Sequence, residues 1–154
     1  MRRLWKALVV VAAVLIATVS AVTLASASTD RTTVLHLTTE NAQATNLDLG
    51  KKGLSQGDEF VVADNVFMAG NRVGTLAAVC TLTRLAAQEE SLCVFTIRLP
   101  RGQITGQFLL VGGSFNNATF AITGGTGAYR DAGGSGKATM GGNTLTLFVG
   151  HLAA

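Results

Sequence analysis

The side chains in this sequence that could do chemistry are few and scattered. Asp64 is an acid inside an otherwise apolar run, FVVADNVF over Phe60–Phe67. A carboxylate walled off from water serves as general acid, general base or anchor for a polar group on a ligand. The same residue can instead begin the turn before Asn65 and face solvent, and the run leaves both faces open. Tyr129, the only tyrosine, either points its hydroxyl at a ligand or packs as an aromatic. Asp58 follows Gly57 at the start of a strand, a position that orders a loop. His36 and His151 lack the spacing of a metal-ligand set and read as strand residues, so no metal and no cofactor is expected. Ser114 has no GxSxG elbow around it. Cys80 and Cys93, once bridged, hold no thiolate to attack with.

The second chemical candidate is the glycine-rich stretch Ala121–Gly136, AITGGTGAYRDAGGSG. Glycines at this density argue against a helix. A phosphate-cradling loop needs strand, glycine turn and helix in that order, and no helix-forming segment follows. The Gly124–Gly127 core (GGTG) therefore reads as a tight backbone crossing at φ > 0 in an all-β protein.

The elements that must position these groups begin after residue 27. Met1–Lys6 (MRRLWK) is a basic n-region, Ala7–Leu24 is apolar, and Ala25-Ser26-Ala27 is a small-x-small cleavage site. This is the pattern of a secretory signal peptide over 1–27, with an uncleaved anchor as the alternative, and it leaves one domain over 28–154. Cleavage removes three of the 12 basic residues and none of the nine acidic ones, so the formal charge of +3 belongs to the leader. The remaining chain has no basic cluster for nucleic acid or anionic lipid, and export makes a disulfide between its two cysteines possible.

Short runs rich in β-formers then alternate with glycine turns. Strands are predicted at Thr33–Thr39, Glu59–Phe67, Val73–Thr83, Leu92–Leu99, Gln103–Val111, Phe115–Thr123, Gly134–Met140 and Asn143–Val149. Asn41–Gly57 reads as a long polar loop beside a barrel mouth, and Gly141–Gly142 as a hairpin turn. Eight short strands with no amphipathic helix predict an all-β antiparallel barrel or sandwich.

Register can be worked out for one hairpin. If Cys80 opposes Cys93, then Leu82 faces Ser91, Ala78 faces Phe95, Leu76 faces Ile97, and Arg84 meets Glu89 beside the loop Leu85–Gln88. Directly opposed residues lie within disulfide reach. The pairing gathers Leu76, Ala78, Cys80, Leu82, Phe95, Ile97 and Leu99 on one face, an apolar wall in which Leu76, Phe95 and Ile97 are candidate ligand contacts.

The segment AITGGTGAYR resembles the GGTG-aromatic signature shared by dirigent proteins and plant allene oxide cyclases. Gly57-Asp58-Glu59-Phe60, Asp64–Phe67, Arg72-Val73-Gly74 and Cys80 are similar to the cyclase run from Gly-Asp to a cavity-side cysteine. Leu99–Ile104 (LPRGQI) is similar to a motif of secreted bacterial relatives. The resemblance spans roughly Leu47 to Gly136 and implies an eight-stranded, lipocalin-like antiparallel β-barrel. It places Asp64 where the cyclases have a lumen asparagine, and it implies oligomerisation, since plant relatives form dimers or trimers.

The resemblance also implies catalysis by positioning: cyclases fold an unstable epoxide into a ring, and dirigent proteins hold two radicals for stereoselective coupling. This chain departs from both patterns. Pro100 is its only proline, so the cyclase Ser-Pro pair has no match, Glu40 lies beyond the first strand, and Gly133 stands where dirigent proteins have arginine. The expectation is a secreted barrel that binds one small hydrophobic molecule, with Asp64 and Tyr129 as catalytic candidates. It either guides cyclisation, isomerisation or coupling of that molecule, or carries it without chemistry as a binding or structural barrel.

Overall fold

The structure is a computed structural model that describes residues 32–139 and 144–150. The leader over 1–27, the Gly141–Gly142 turn and His151 lie outside the described residues. The chain forms β1 (Thr33–Leu47), β2 (Glu59–Met68), β3 (Asn71–Arg84), β4 (Glu90–Leu99), β5 (Gly102–Val111), β6 (Thr119–Gly125), β7 (Gly133–Thr139) and β8 (Thr144–Gly150). A single 3-10 turn, Gly127–Tyr129, sits between β6 and β7. Every strand pairs antiparallel with its neighbour in sequence, and β8 returns to β1, so the eight strands close a barrel with no free sheet edge over its closed part.

Alternation decides which side chains enter the barrel. On β4, Cys93, Phe95, Ile97 and Leu99 are buried while the residues between them are not. Leu37, Ile97, Ile104, Leu147 and Val149 are fully buried and fill one end of the lumen. At that end lie the 69–70 and 100–101 turns and the glycine-rich crossing.

The β3–β4 register is the derived one from Leu76↔Ile97 through Cys80↔Cys93 to Leu82↔Ser91. Cys80 and Cys93 form the disulfide, with Cα atoms 4.0 Å apart. Beyond Leu82 the register shifts by one residue, and Arg84 pairs with Glu90, Nη1 to Oε1 at 3.0 Å, in place of Glu89. The cause is a bulge at Thr83, whose hydroxyl donates to the Glu90 carbonyl at 2.9 Å.

Two other expectations need correction. β1 does not end at Thr39 but continues to Leu47, pairing with Glu59–Ala63 beyond a bulge between Asn41 and Gln43. Its outer residues are exposed on both faces, so no apolar alternation marks them. β6 begins at Thr119, not Phe115, because Asn117 takes φ 56° and the Phe115 carbonyl accepts the Ala118 N–H at 3.2 Å in a turn.

The crossing is tight for two separate reasons. Gly127, at φ 61°, adopts the left-handed backbone that its position requires. Gly125 does not: it is glycine because a Cβ there would meet the carbonyl oxygens of Gln103 and Tyr129.

Candidate functional site

The other end of the barrel is hollow. A cavity of about 260 Å³ opens there, with residues from all eight strands and the β5–β6 loop in its wall. Five of the seven phenylalanines line it: Phe60, Phe95, Phe108, Phe115 and Phe120. Their rings form one connected set, Phe60 to Phe115, Phe115 to Phe108, and Phe108 to both Phe95 and Phe120, the closest pair being Phe95 and Phe120 edge-on at 4.9 Å.

Two glycines inside strands make room for these rings. A Cβ on Gly106 of β5 would meet the Phe95 ring, and one on Gly136 of β7 would meet the Phe120 ring. The disulfide lies in the same register row, with Cys80 beside Phe60 and Cys93 beside Phe108. Cys80, Cys93 and Leu110 form a small buried cluster against Phe60, Phe108 and Phe115. The bridge thus ties β4, which carries Phe95, to β3, which lies between it and the Phe60 strand.

Asp64 lies in this wall, on the β2 face shared with Phe60 and Val62, and among the described residues is the only ionisable side chain in the lining. Its direct partners across the sheet are Asn41 on one side and Leu76 on the other. Asn41 Nδ2 donates to Asp64 Oδ1 at 3.1 Å and reaches the Gln43 carbonyl at 3.5 Å. The β1 bulge falls immediately after Asn41, so the kink that turns β1 away from β8 also holds the amide against the carboxylate. Thr39, Thr139 and Thr144 complete the polar part of the lining.

Of the residues singled out from sequence, Asp64, Leu76 and Phe95 come together in the cavity wall. Ile97 and Tyr129 do not line it. Ile97 is fully buried one row deeper, and Tyr129 packs against the core from the glycine crossing at the filled end. Asn41 and the phenylalanines other than Phe95 were not singled out. The usable signal was glycine inside a strand, which marks a neighbour that needs the space.

The remaining polar candidates are structural. His36 is exposed, its Nδ1 3.5 Å from the Thr146 hydroxyl. Arg130 pairs with Asp131 at 3.3 Å on the surface. Asp58 accepts from Leu49 N and Ser55 N at 2.9 and 2.8 Å, and these backbone donors, Ser55 first, hold its carboxyl below the ordinary value of 3.8. Among the described residues no group of three or more His, Cys, Asp or Glu is placed to hold a metal ion. A second, polar groove lies outside the barrel near the 100–101 turn, lined in part by Arg72, Arg98, Gln103 and Thr126.

A one-carboxylate, aromatic-walled lumen can hold and orient a small apolar molecule. Solved structures share this shape. A pyocyanin demethylase is 27% identical with a TM-score of 0.66, the match covering 79% of this chain and 100% of that one. A Diels–Alderase from Streptomyces koyangensis is 13% identical with a TM-score of 0.64, covering 81% and 71%. A pterocarpan synthase dirigent protein is 18% identical with a TM-score of 0.60, covering 80% and 97%. At these identities the last two share the fold alone. The search of curated proteins finds no match. The model of the allene oxide cyclase barrel like domain matches residues 32–146, most of the chain and the whole barrel up to β8, and the chain belongs to that family.

Proposed function

We propose that this is an exported barrel that binds one small, largely apolar molecule in its lumen and guides its cyclisation, isomerisation or stereoselective coupling. The observation that carries the proposal is the cavity of about 260 Å³ with a single carboxylate, Asp64, in an aromatic wall. A lumen of this kind accelerates a reaction by holding a substrate near its reactive shape, with one polar group to fix its direction. Proteins that share the fold include a pyocyanin demethylase, a Diels–Alderase and a pterocarpan synthase dirigent protein, and the last two are in keeping with chemistry by positioning. Asp64 is the proposed anchor or acid–base group, Asn41 its orienting partner, and Leu76 and Phe95 apolar contacts. Tyr129 serves in this proposal as packing beneath the site.

Binding without chemistry is the second reading, and it is favoured by the same wall: one ionisable side chain supplies no acid–base pair. Export is supported by the leader pattern over 1–27 and by the Cys80–Cys93 bridge, which persists in oxidising compartments. Association into oligomers is proposed on the family resemblance alone.

The test is to fill the lumen. Ala78→Trp adds an indole where Ala78 now lines the cavity. Small molecules that co-purify with the exported chain are identified by native mass spectrometry, and the variant is expected to keep the fold and lose them. A folded Ala78→Trp chain that retains the same molecule would overturn the lumen as the site. Turnover of the identified molecule by the parent chain, reduced at least tenfold by Asp64→Asn, separates catalyst from carrier.

A further inference from the structure

The lumen carries an electrostatic preference that its apolar character conceals. Two components of its wall, one carboxylate and the faces of its phenylalanine rings where a ligand meets them, attract the same sign of charge. Asp64 is the sole ionisable lining residue among those described. Among the described residues its only hydrogen-bond partner is Asn41, which is neutral and engages Oδ1. Among the described residues no lysine, arginine or histidine lines the cavity to neutralise it. A carboxylate with one neutral donor, set among apolar side chains, keeps acceptor capacity that a ligand can fill.

The five phenylalanines act in the same direction. An aromatic face is the negative part of its quadrupole, and it attracts ammonium, iminium and alkylated ring nitrogen. Phe60, Phe95, Phe108, Phe115 and Phe120 line the cavity from β2, β4, β5, β6 and the β5–β6 loop, so a flat ligand on that side lies against aromatic rings. Aromatic stacking and charge attraction are then satisfied together by one kind of molecule.

We infer that the preferred ligand is an aromatic or conjugated molecule bearing a positive charge or an N–H donor, paired with the Asp64 carboxylate, and that anions such as fatty-acid carboxylates are rejected. The inference rests on the lumen being the ligand site. It narrows the substrate class from apolar molecules in general to cationic or donor-bearing aromatics. Charge-assisted hydrogen bonds are about twice as strong as neutral ones, and a like charge beside Asp64 is repelled.

The experiment compares three bicyclic probes of similar size on the full chain: N-methylquinolinium, 1-methylnaphthalene and 1-naphthoate, each measured by equilibrium dialysis. The cation is expected to bind at least about tenfold more tightly than the neutral hydrocarbon, a difference of about 1.4 kcal/mol, and the anion more weakly than either. Asp64→Asn is expected to narrow the gap between cation and hydrocarbon by weakening the cation, leaving the smaller preference that the rings supply. Asp64→Ser replaces it should the Asn variant not fold, and the probe series on the parent chain stands without either.

If the hydrocarbon binds as tightly as the cation, or the anion binds best, the charge preference is overturned and the lumen site stands. If none of the three binds, the charge inference and the lumen site fall together. A cation preference that survives Asp64→Asn undiminished overturns the assignment to this carboxylate.

Discussion

The two ends of the barrel solve opposite problems with the same strands. At the filled end, Leu37, Ile97, Ile104, Leu147 and Val149 are fully buried and leave no space for a ligand. At the hollow end, two to four residues along the same strands, the lining is aromatic, includes a carboxylate and encloses about 260 Å³. A hollow forfeits packing contacts, so that end needs other means of holding its strands. It has two: the Cys80–Cys93 bridge between β3 and β4, and the Asp58 cluster that folds the 48–58 loop back on itself. Close packing is therefore concentrated at one end and the cavity at the other.

The largest expected effect tests that division. Ile97→Ala, one row below the cavity, is expected to cost about 4 kcal/mol because its site is closed on all sides and cannot collapse. Phe115→Ala, half-buried in the cavity wall, is expected to cost less than half as much. Urea unfolding of both variants gives the comparison directly. Equal costs would mean that the hollow end is packed as tightly as the filled one.

Next in size is the bridge. Replacing Cys80 and Cys93 together by alanine is expected to lower stability by about 3 kcal/mol in the chain-entropy account of a loop of this length. The loss should be accompanied by faster hydrogen exchange in the β3–β4 amides near Ser91, with Ile97 unaffected at matched stability. A loss spread evenly over both ends would show that the bridge braces the whole barrel rather than its hollow half.

Gly125→Val is expected to cost about 2 kcal/mol, from overpacking against the Gln103 and Tyr129 carbonyls. Gly125→Ala should show much of the same cost, since the Cβ itself makes the clash. An alanine variant as stable as the parent would remove close approach as the reason for glycine.

These contrasts also show what the sequence made legible. The β3–β4 register could be derived because each strand alternates and the cysteines supply a fixed pair; it failed at Arg84 because a bulge leaves no periodic trace. The face of Asp64 could not be derived because its strand is apolar on both sides: Val61 and Ala63, on the outer face, are half-buried like Val62 within. The aromatic wall was beyond reach for another reason. Phe60, Phe95, Phe108 and Phe120 come from four strands, so their meeting depends on barrel closure, which no local pattern encodes. Two glycines read alike from sequence differ in one respect: both leave room for neighbouring carbonyls, Gln103 and Tyr129 at Gly125 and Arg101 at Gly127, and only Gly127 also needs left-handed backbone.

The smallest effect concerns the Asp58 cluster and is one of pH. Asp58 accepts from Ser55 N at 2.8 Å, from Leu49 N at 2.9 Å and from the Ser55 hydroxyl at 3.1 Å. These donors favour the ionised form, the Ser55 and Leu49 backbone N–H groups contributing most, and they outweigh the opposing effect of desolvation, so the folded value lies below 3.8. A lowered carboxyl value means that the folded chain binds fewer protons than the unfolded one. The contribution is then complete above the unfolded value and fades as pH falls through the folded one. Because Gly57 N donates to the Leu82 carbonyl and Leu82 N to the Asp58 carbonyl, both at 2.8 Å, the loop is fastened to β3 independently of the carboxyl group. Acid is therefore expected to release the Leu49 and Ser55 amides without opening the barrel. Hydrogen-exchange protection at those two amides should drop below about pH 4 while protection at Ile97 persists, and Asp58→Asn should show the loss at neutral pH with its acid dependence gone. Protection at Leu49 and Ser55 that declines only together with Ile97 would mean that the loop is held by the barrel as a whole, and that the hollow end has the bridge alone to hold it.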